Sequence, residues 1–307
     1  MDIYRDYCGH FSSLLVVLLL IPLILLVIIS FEQSAMMVDD SLDVLKSDLL
    51  EDVATNFEED FRITSMKSLS SVSHDVSVSH TPLNNASRVL SKNIMDSINY
   101  TPYTNRGFTM DCDVISIKPS NDPFCVDIVY SINCHRINDS TTSINRVNSV
   151  SVSIVNSSYP VYDPLPSIKT HASMVNDTYI FASSLSSFLS DGAYDGSVAS
   201  SVISSCPYTD YASHGHDSSI ICNCIENHYY HYSHDGLCLL CRLEGRDVCA
   251  HAGFETFIVP HNMADEARVS VDHVLFNSSG HYNASLVPVN NSTWIYLDDG
   301  HRSKYGL

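Results

Sequence analysis

Basic residues are scarce in this sequence. Lys and Arg together number 16 against 35 Asp and Glu in 307 residues, so the formal net charge at pH 7 is −19. An acidic surface repels the phosphates of nucleic acids and of anionic lipid headgroups. The composition therefore argues against nucleic acid and anionic membrane surfaces as partners.

Sequence motifs of several common enzyme classes are also missing. There is no glycine-rich loop that would cradle a phosphate, no Gly-x-Ser-x-Gly elbow and no His-Glu-x-x-His motif. No complete EF-hand loop for calcium occurs either. The sequence indicates no catalytic and no cofactor-binding residue, which favours a non-enzymatic protein.

One long apolar segment lies near the N-terminus. No charged residue occurs between Phe11 and Phe31, and the run from Leu14 to Ile29 is interrupted only by Pro22. At about 1.5 Å per residue, a helix of this length spans roughly the 30 Å hydrocarbon core of a bilayer. A cleaved signal peptide normally has an apolar region of only about 7–15 residues and a small-residue cleavage site. The sequence therefore predicts a retained transmembrane helix over residues 11–31.

The charges on either side of this helix predict its orientation. Arg5 lies in the short tail of residues 1–10, whereas four acidic residues precede the first lysine, Lys46, on the other side. Positive charge favours the cytoplasmic side of a membrane. We therefore expect a single-pass protein of the cell membrane with a cytoplasmic N-terminus and an extracytoplasmic body.

N-glycosylation acceptor triplets are frequent and favour the same orientation. All of them follow the apolar segment, and they number about twice what chance predicts for this composition. They begin at Asn85, Asn99, Asn138, Asn156, Asn176, Asn277, Asn283, Asn290 and Asn291. A glycoprotein with an extracellular body is the prediction, although a chain rich in Ser and Asn also produces such triplets by chance.

Apolar residues take helical spacing beyond the membrane segment. They recur at steps of three or four, with acidic residues between them, at Val38, Leu42, Leu45, Leu49, Val53, Phe57 and Phe61. Because no Pro or Gly separates this stripe from the membrane segment, one helical rod is predicted from Phe11 to about Thr64. The stalk segment, residues 32–75, includes the outer half of this rod, and the Ser-, Val- and His-rich residues 68–80 are predicted as a helix end and loop. Steps of four outnumber steps of three, which favours packing on the chain's own head over a coiled coil. Self-association or a protein partner through the 38–61 stripe is the alternative.

A second, shorter helix is predicted over Asn84–Ile98, and alternating patterns follow it. Apolar and polar residues alternate over 110–114, 126–134 and 150–154, which is typical of half-buried strands. Their connections are too short for crossover helices, so residues 76–160 should contain a helix and an antiparallel meander. The predicted fold class is α+β, with the membrane helix and amphipathic helix leading to an antiparallel β-rich extracytoplasmic head.

The C-terminal half divides into three segments by composition. Residues 161–205 are rich in Pro and Ser and predict a connector with a short helix over 180–189. Residues 206–251 form a Cys/His-rich insertion, and residues 252–307 a C-terminal β segment. Within that last segment, strands are predicted over 254–259, 268–276 and 294–297.

Six of the ten cysteines cluster in the Cys/His-rich insertion, at Cys206, Cys222, Cys224, Cys238, Cys241 and Cys249. In an oxidising exterior, three disulfides could staple such a loop-rich segment. Alternatively, the Cys222-x-Cys224 and Cys238-x-x-Cys241 spacings could bring thiolates to one zinc ion. The metal-ligand set under this second hypothesis is Cys222, Cys224, Cys238, Cys241, Cys249 and His251.

Nine cysteines follow the membrane segment, and an odd number leaves at least one free, metal-bound or joined to another molecule. Cys112 and Cys134 lie on apolar faces of neighbouring predicted strands and could form a bridge, which leaves Cys125 as the candidate for the unpaired thiol. In the same half of the chain as the cysteine cluster, His228, His231 and His234 lie three residues apart among tyrosines. They could converge on a metal or pack as aromatic rings.

The N-terminal architecture resembles archaeal type IV pilins and pilin-like proteins. In that family a hydrophobic helix continues into an amphipathic helix, and a β-rich head follows. The resemblance covers roughly residues 5–65, the two helical parts, and the predicted β-rich head follows them here as well. Pilins are cut after a Gly just before the hydrophobic helix, and Gly9 precedes His10 and the apolar run. The basic residue that pilins carry before this Gly is absent, and Leu14 stands where they often have Glu.

The resemblance implies a structural or partner-binding role at the cell surface, either pilin-like or adhesin-like. The Cys/His-rich insertion supports a different function. An extracytoplasmic metal-binding protein or a metal-dependent hydrolase is the alternative that follows from its histidines and cysteines.

Overall fold

The computed structural model describes residues 4–155, 158–170, 179–183, 202–208, 219–234, 236–258, 285–288, 294–297, 299–305 and 307. The helices are α1 (Tyr4–Ser79), α2 (Ala86–Ser97), α3 (Thr101–Thr104), α4 (Leu165–Thr170), α5 (Ser219–Glu226), α6 (Leu239–Leu243) and α7 (Asp299–Tyr305). The strands are β1 (Phe108–Pro119), β2 (Cys125–Arg136), β3 (Asp139–Ser153), β4 (Tyr162–Asp163), β5 (Tyr179–Ala182), β6 (Val202–Ser205), β7 (Tyr229–Ser233), β8 (Gly253–Thr256), β9 (Ser285–Pro288) and β10 (Trp294–Leu297).

The apolar segment and the predicted stalk form a single helix, α1, of 76 residues, and Pro22 does not end it. The apolar side chains from Leu15 to Ile29 are all exposed. This part of α1 is long and apolar enough to cross a membrane. The long N-terminal helix and the antiparallel sheet described below confirm the α+β class.

The outer half of α1 packs against the head of its own chain. Val53, Phe57 and Phe61 are buried there, whereas Val38 and Leu45 remain exposed. The Phe61 ring stacks on Tyr130 of β2 with the ring centroids 3.9 Å apart. The stripe is therefore divided into a covered and an uncovered part.

The helix also continues past the predicted end near Thr64. Ser65, Ser68, Ser73 and Ser77 lie on its buried face and are almost completely inaccessible. The Tyr162 amide donates a hydrogen bond of 3.0 Å to the Ser73 hydroxyl, which joins α1 to β4. Small serines let the backbones approach closely, but they weaken the apolar periodicity from which the helix end was predicted.

The predicted meander is a three-stranded antiparallel sheet in the order β1-β2-β3. Alternate residues of β2, from Val126 to Cys134, are buried and face the core. Cys112 pairs with Ile132 in the β1–β2 register, and Cys134 pairs with Met110, so the two cysteines are diagonal neighbours on one face. Both are free thiols in this structure.

A second sheet has the order β4-β5-β6-β7-β8 and is mixed. The β5–β6 and β6–β7 pairs are parallel, and the β4–β5 and β7–β8 pairs are antiparallel. The segment predicted as a connector thus supplies three strands, and β5 replaces the start of its predicted short helix. All four β5 residues are buried, and such short apolar runs show no period that separates strand from helix.

The two sheets and the outer half of α1 share one continuous hydrophobic core. The Phe124 ring before β2 contacts Tyr230 of β7 and Phe254 of β8, at centroid distances of 5.0 and 5.5 Å. β9 and β10 form a separate antiparallel pair. The strand predicted over 268–276 lies outside the described residues.

Candidate metal centres

Four of the six predicted metal ligands converge at one point, which we call the Cys238 centre: Cys238, Cys241, Cys249 and His251. Each offers one ligand atom, and all four atoms lie within 4.8 Å of one another. The Cys249 sulfur lies 3.6 Å from the Cys238 sulfur and 3.3 Å from His251 Nδ1. His251 Nδ1 lies 3.7 Å from the Cys238 sulfur and 3.9 Å from that of Cys241. Such a group could hold a metal ion.

The Cys238–Cys249 sulfur separation and the three sulfur–nitrogen separations are close to those of tetrahedral coordination. Zinc–sulfur bonds of about 2.3 Å at tetrahedral angles place two sulfurs about 3.8 Å apart, and a sulfur and an imidazole nitrogen about 3.6 Å apart. A disulfide, in contrast, needs two sulfurs about 2.05 Å apart. The three thiols and the imidazole are therefore spaced as ligands of one ion rather than as a bonded pair.

Helix α6 and the chain that follows it build the Cys238 centre. Cys238 is the N-cap of α6, and Cys241 follows three residues later, so both thiols lie on the same side of this short helix. Gly245 then takes a positive φ of 61° and turns the chain, and the Arg246 amide donates to the Cys241 carbonyl oxygen at 3.1 Å. The returning chain places Cys249 beside Cys238 and Cys241, just before β8.

A close backbone approach holds the two sides of the centre together. A Cβ atom on Gly236 would lie 2.7 Å from the carbonyl oxygen of Phe254. Only glycine permits this contact, because real Cβ atoms do not approach backbone atoms so closely. The start of α6 is thereby held against β8, and Cys238 and Cys241 become buried while Cys249 and His251 stay at the surface.

The thiols of the Cys238 centre influence one another's protonation. Contacts with Cys238 and Cys249 raise the pKa of Cys241 well above its usual range. Hydrogen bonds with Cys238 and Cys241 hold the pKa of the Cys249 thiol far below its usual range. A divalent cation would replace the protons that remain, because metal ligation requires thiolates.

A second group, which we call the Cys206 centre, consists of Cys206, Cys224 and His231. The Cys224 sulfur lies 3.0 Å from His231 Nε2, and all three ligand atoms lie within 4.8 Å of one another. Burial raises the pKa of Cys224, and the neighbouring Cys206 thiol raises it further. This group could also hold a metal ion.

The structure thus places four of the six predicted ligands in the Cys238 centre, one in the Cys206 centre and one in neither. Cys224 belongs to the Cys206 centre and not to the group formed by Cys238 and Cys241, and Cys222 belongs to neither group. Cys222 and Cys224 do not share a site, because residues two apart on α5 point in nearly opposite directions, about 200° apart around the helix axis. Two ligands of the Cys206 centre, Cys206 and His231, were absent from the predicted metal set.

Strand alternation separates the three histidines that follow Cys224. His231 is buried beside Cys224, whereas His234 is exposed, with its Nδ1 atom 3.1 Å from the Tyr232 hydroxyl. His228 occupies the turn before β7 with a positive φ of 50°. The histidines therefore do not converge, and only His231 joins a possible metal site.

The predicted glycosylation sites that the structure describes are all exposed. Asn85 caps α2 by accepting the Arg88 amide at 2.9 Å. Asn99 accepts the Thr101 amide at 3.0 Å, and Asn138 lies in the β2–β3 turn with a φ of 77°. The other six acceptors, Asn156, Asn176, Asn277, Asn283, Asn290 and Asn291, lie outside the described residues.

Comparison with known proteins finds no protein-family model, no curated protein and no solved structure that matches this chain.

Proposed function

We propose that this protein is a membrane-anchored surface protein whose α+β head is stabilised by a zinc ion at the Cys238 centre. The observation that carries the proposal is the convergence of three thiols and one imidazole from a single 14-residue stretch, with all four ligand atoms within 4.8 Å of one another. Four protein ligands leave no open coordination position, and closed sites of this kind are structural rather than catalytic. The role of the protein would be structural or partner-binding.

The surroundings of the centre favour a structural role for the ion. The Ala86 amide at the start of α2 donates to Glu244 at 2.9 Å, and the Leu83 amide donates to the Leu243 carbonyl oxygen at 2.9 Å. Lys169 of α4 forms an ion pair with Asp247. An ion at the Cys238 centre would therefore fix the loop to which α2 and α4 are attached.

The N-terminal half of α1 supports the membrane anchor. Its apolar residues from Leu15 to Ile29 have no cover in the structure, and in water such a surface would be strongly unfavourable. A bilayer supplies the missing cover. The positive-inside bias and the glycosylation acceptors support the placement of the head outside the cytoplasm.

The uncovered part of the stalk supports a partner-binding role. Four residues of the stripe stay exposed: Val38, Leu42, Leu45 and Leu49. They follow one another at steps of four, three and four, which is the spacing of a coiled-coil seam. A second copy of this chain is the partner that we propose, as in the pilin-like assemblies that the N-terminal architecture resembles.

Metal analysis of the full-length protein tests the proposal. The protein is purified in detergent under reducing conditions, and zinc is measured per chain. We expect Cys249→Ser and His251→Gln to lower the zinc content by about one ion per chain. Cys125→Ser is the matched control, because Cys125 is half-buried and lies in neither centre. Unchanged zinc in Cys249→Ser, or a disulfide among Cys238, Cys241 and Cys249 in the native protein, would refute the proposal.

A further inference from the structure

We propose that the Cys206 centre is a second metal site, with three protein ligands and one coordination position open to an exogenous ligand. Its ion would be zinc or another transition metal that accepts thiolate and imidazole. The open position would take water or a small donor such as imidazole. This site is independent of the Cys238 centre, and it adds a reactive position that a closed structural ion lacks.

The sheet topology brings the three ligands together. β6 and β7 are parallel, with Ser205 opposite Tyr230, and the Cys206 amide donates to the Tyr230 carbonyl oxygen at 3.1 Å. Cys206 therefore leaves β6 beside His231, the next residue of β7. The pairing of two strands, and not the proximity of residues in the chain, places this thiol and this imidazole side by side.

A tight turn supplies the third ligand. α5 ends at Glu226, and His228 adopts a positive φ of 50° that reverses the chain into β7. The Ser204 amide donates to the His228 carbonyl oxygen at 3.0 Å and fixes the turn against β6. Cys224 on the last turn of α5 is thereby directed toward β7, with its sulfur 3.0 Å from His231 Nε2.

The surroundings of the site favour a bound metal ion over two buried thiols without an ion. Cys224 is completely buried, His231 is 8 % exposed and Cys206 is half-buried. The His231 ring packs edge-on against Phe257 at a centroid distance of 5.2 Å, which fixes its orientation. Two thiolates and a neutral imidazole balance the charge of a divalent cation, so the bound site would be neutral in its apolar surroundings.

The fourth position distinguishes this centre from the first one. Across the described parts of the chain, no fourth His, Cys, Asp or Glu joins the group within 4.8 Å. Glu255 lies opposite His231 in the β7–β8 register. However, its carboxylate is held by the Tyr305 hydroxyl at 2.8 Å and by Lys304. Three ligands from the protein with one free position are typical of sites that bind water or substrate.

Cobalt substitution tests the second site on the full-length protein in detergent. The protein is loaded with Co²⁺ without oxygen, and bound cobalt and the visible spectrum are measured. We expect about two Co²⁺ per chain, and about one in Cys224→Ser and in Cys249→Ser. Added imidazole should shift the spectrum of wild type and of Cys249→Ser, which retains only the open site. It should leave the spectrum of Cys224→Ser unchanged.

Several outcomes would overturn the second site without touching the first. One is a single Co²⁺ per chain in wild type with no loss of cobalt in Cys224→Ser. The others are a Cys206–Cys224 disulfide in the native protein and the absence of an imidazole-induced spectral shift in Cys249→Ser. Because Cys224 is completely buried, Cys206→Ser at the half-buried ligand repeats the test if Cys224→Ser fails to fold. Loss of cobalt in Cys224→Ser alone, with none lost in Cys249→Ser, would refute the proposed structural centre and leave the second site standing.

Discussion

Arg242 and Asp163 form an ion pair in which neither side chain has any exposed surface. The Arg242 Nη1 atom donates to both carboxylate oxygens, at 3.0 and 2.9 Å. The same guanidinium donates to the carbonyl oxygens of Leu237 and Phe254 at 3.2 and 2.8 Å. Arg242 directly follows Cys241 in α6, so the pair connects the Cys238 centre to β4 and β8.

Removal of one partner of this pair should be costly. In Asp163→Ala the guanidinium would stay buried without a counter-charge, and we expect a loss of about 3–5 kcal/mol in the free energy of unfolding. Asp43→Ala is the control, because Asp43 pairs with Lys46 at 3.0 Å on the surface of α1, and exposed pairs contribute about 0–1 kcal/mol. Urea denaturation of the two variants checks the difference. A loss below about 1 kcal/mol for Asp163→Ala would show that Arg242 regains solvation elsewhere.

Metal removal should have a local effect. When the ion is extracted with a chelator under reducing conditions, we expect faster hydrogen exchange in residues 238–252 and unchanged exchange in β1–β3. Lower pH should release the ion as well, because protons compete for thiolates and imidazole. Hydrogen-exchange mass spectrometry with and without chelator makes the comparison. A uniform change along the chain, or none, would contradict a structural ion at the Cys238 centre.

The elements and ligands that could be predicted from the sequence are those that a local sequence pattern specifies. Helix α2 and the three strands of the meander have periods that a short window reveals, and three of the four Cys238-centre ligands lie within 12 residues of one another. The Cys206 centre was missed for the opposite reason. Cys206 and His231 meet only through the parallel pairing of β6 with β7, and no sequence period specifies which strands pair. The helical region after Thr64 was missed because buried serines, such as Ser73, look like loop residues.

Alkaline pH should destabilise the head through Cys134. Burial raises the pKa of this thiol from 9.0 to about 11. Below pH 9 the thiol is protonated in both states, whereas between pH 9 and 11 the unfolded chain loses its proton and the folded chain keeps it. The free energy of unfolding should therefore fall by roughly 1 kcal/mol per pH unit in this window on account of Cys134.

Replacement of the thiol isolates this effect. In Cys134→Ala the decline in stability between pH 9 and 11 should be shallower than in wild type. Ile132→Val is the control, since it changes the same buried face of β2 without a titrating group. Denaturation curves at several pH values give the slopes. Equal slopes in wild type and Cys134→Ala would contradict the assigned pKa.

Glycosylation should be found at Asn138 when the protein is expressed in its own host. This asparagine is exposed in the β2–β3 turn. Asn138→Gln and Ser140→Ala should each remove the same glycan mass, while Asn145→Gln, which alters no acceptor triplet, should remove none. Intact-protein mass spectrometry measures the difference. Native protein without glycan at any of the nine acceptors would argue against an extracytoplasmic head.

The exposed stripe of the stalk should mediate self-association. The head covers Val53 and the residues beyond it, so only Val38 to Leu49 are free to pack on a second helix. Glutamate at both Leu42 and Leu45 would bring charge into such a seam, and we expect the double variant to sediment as a monomer where wild type forms a dimer or larger species. Val44→Glu is the matched control, because Val44 is also exposed but is not one of the four stripe residues Val38, Leu42, Leu45 and Leu49. Analytical ultracentrifugation of the full-length protein in detergent distinguishes these states. Monomeric wild type, or equal effects of the seam and control variants, would show that this stripe does not bind a second copy.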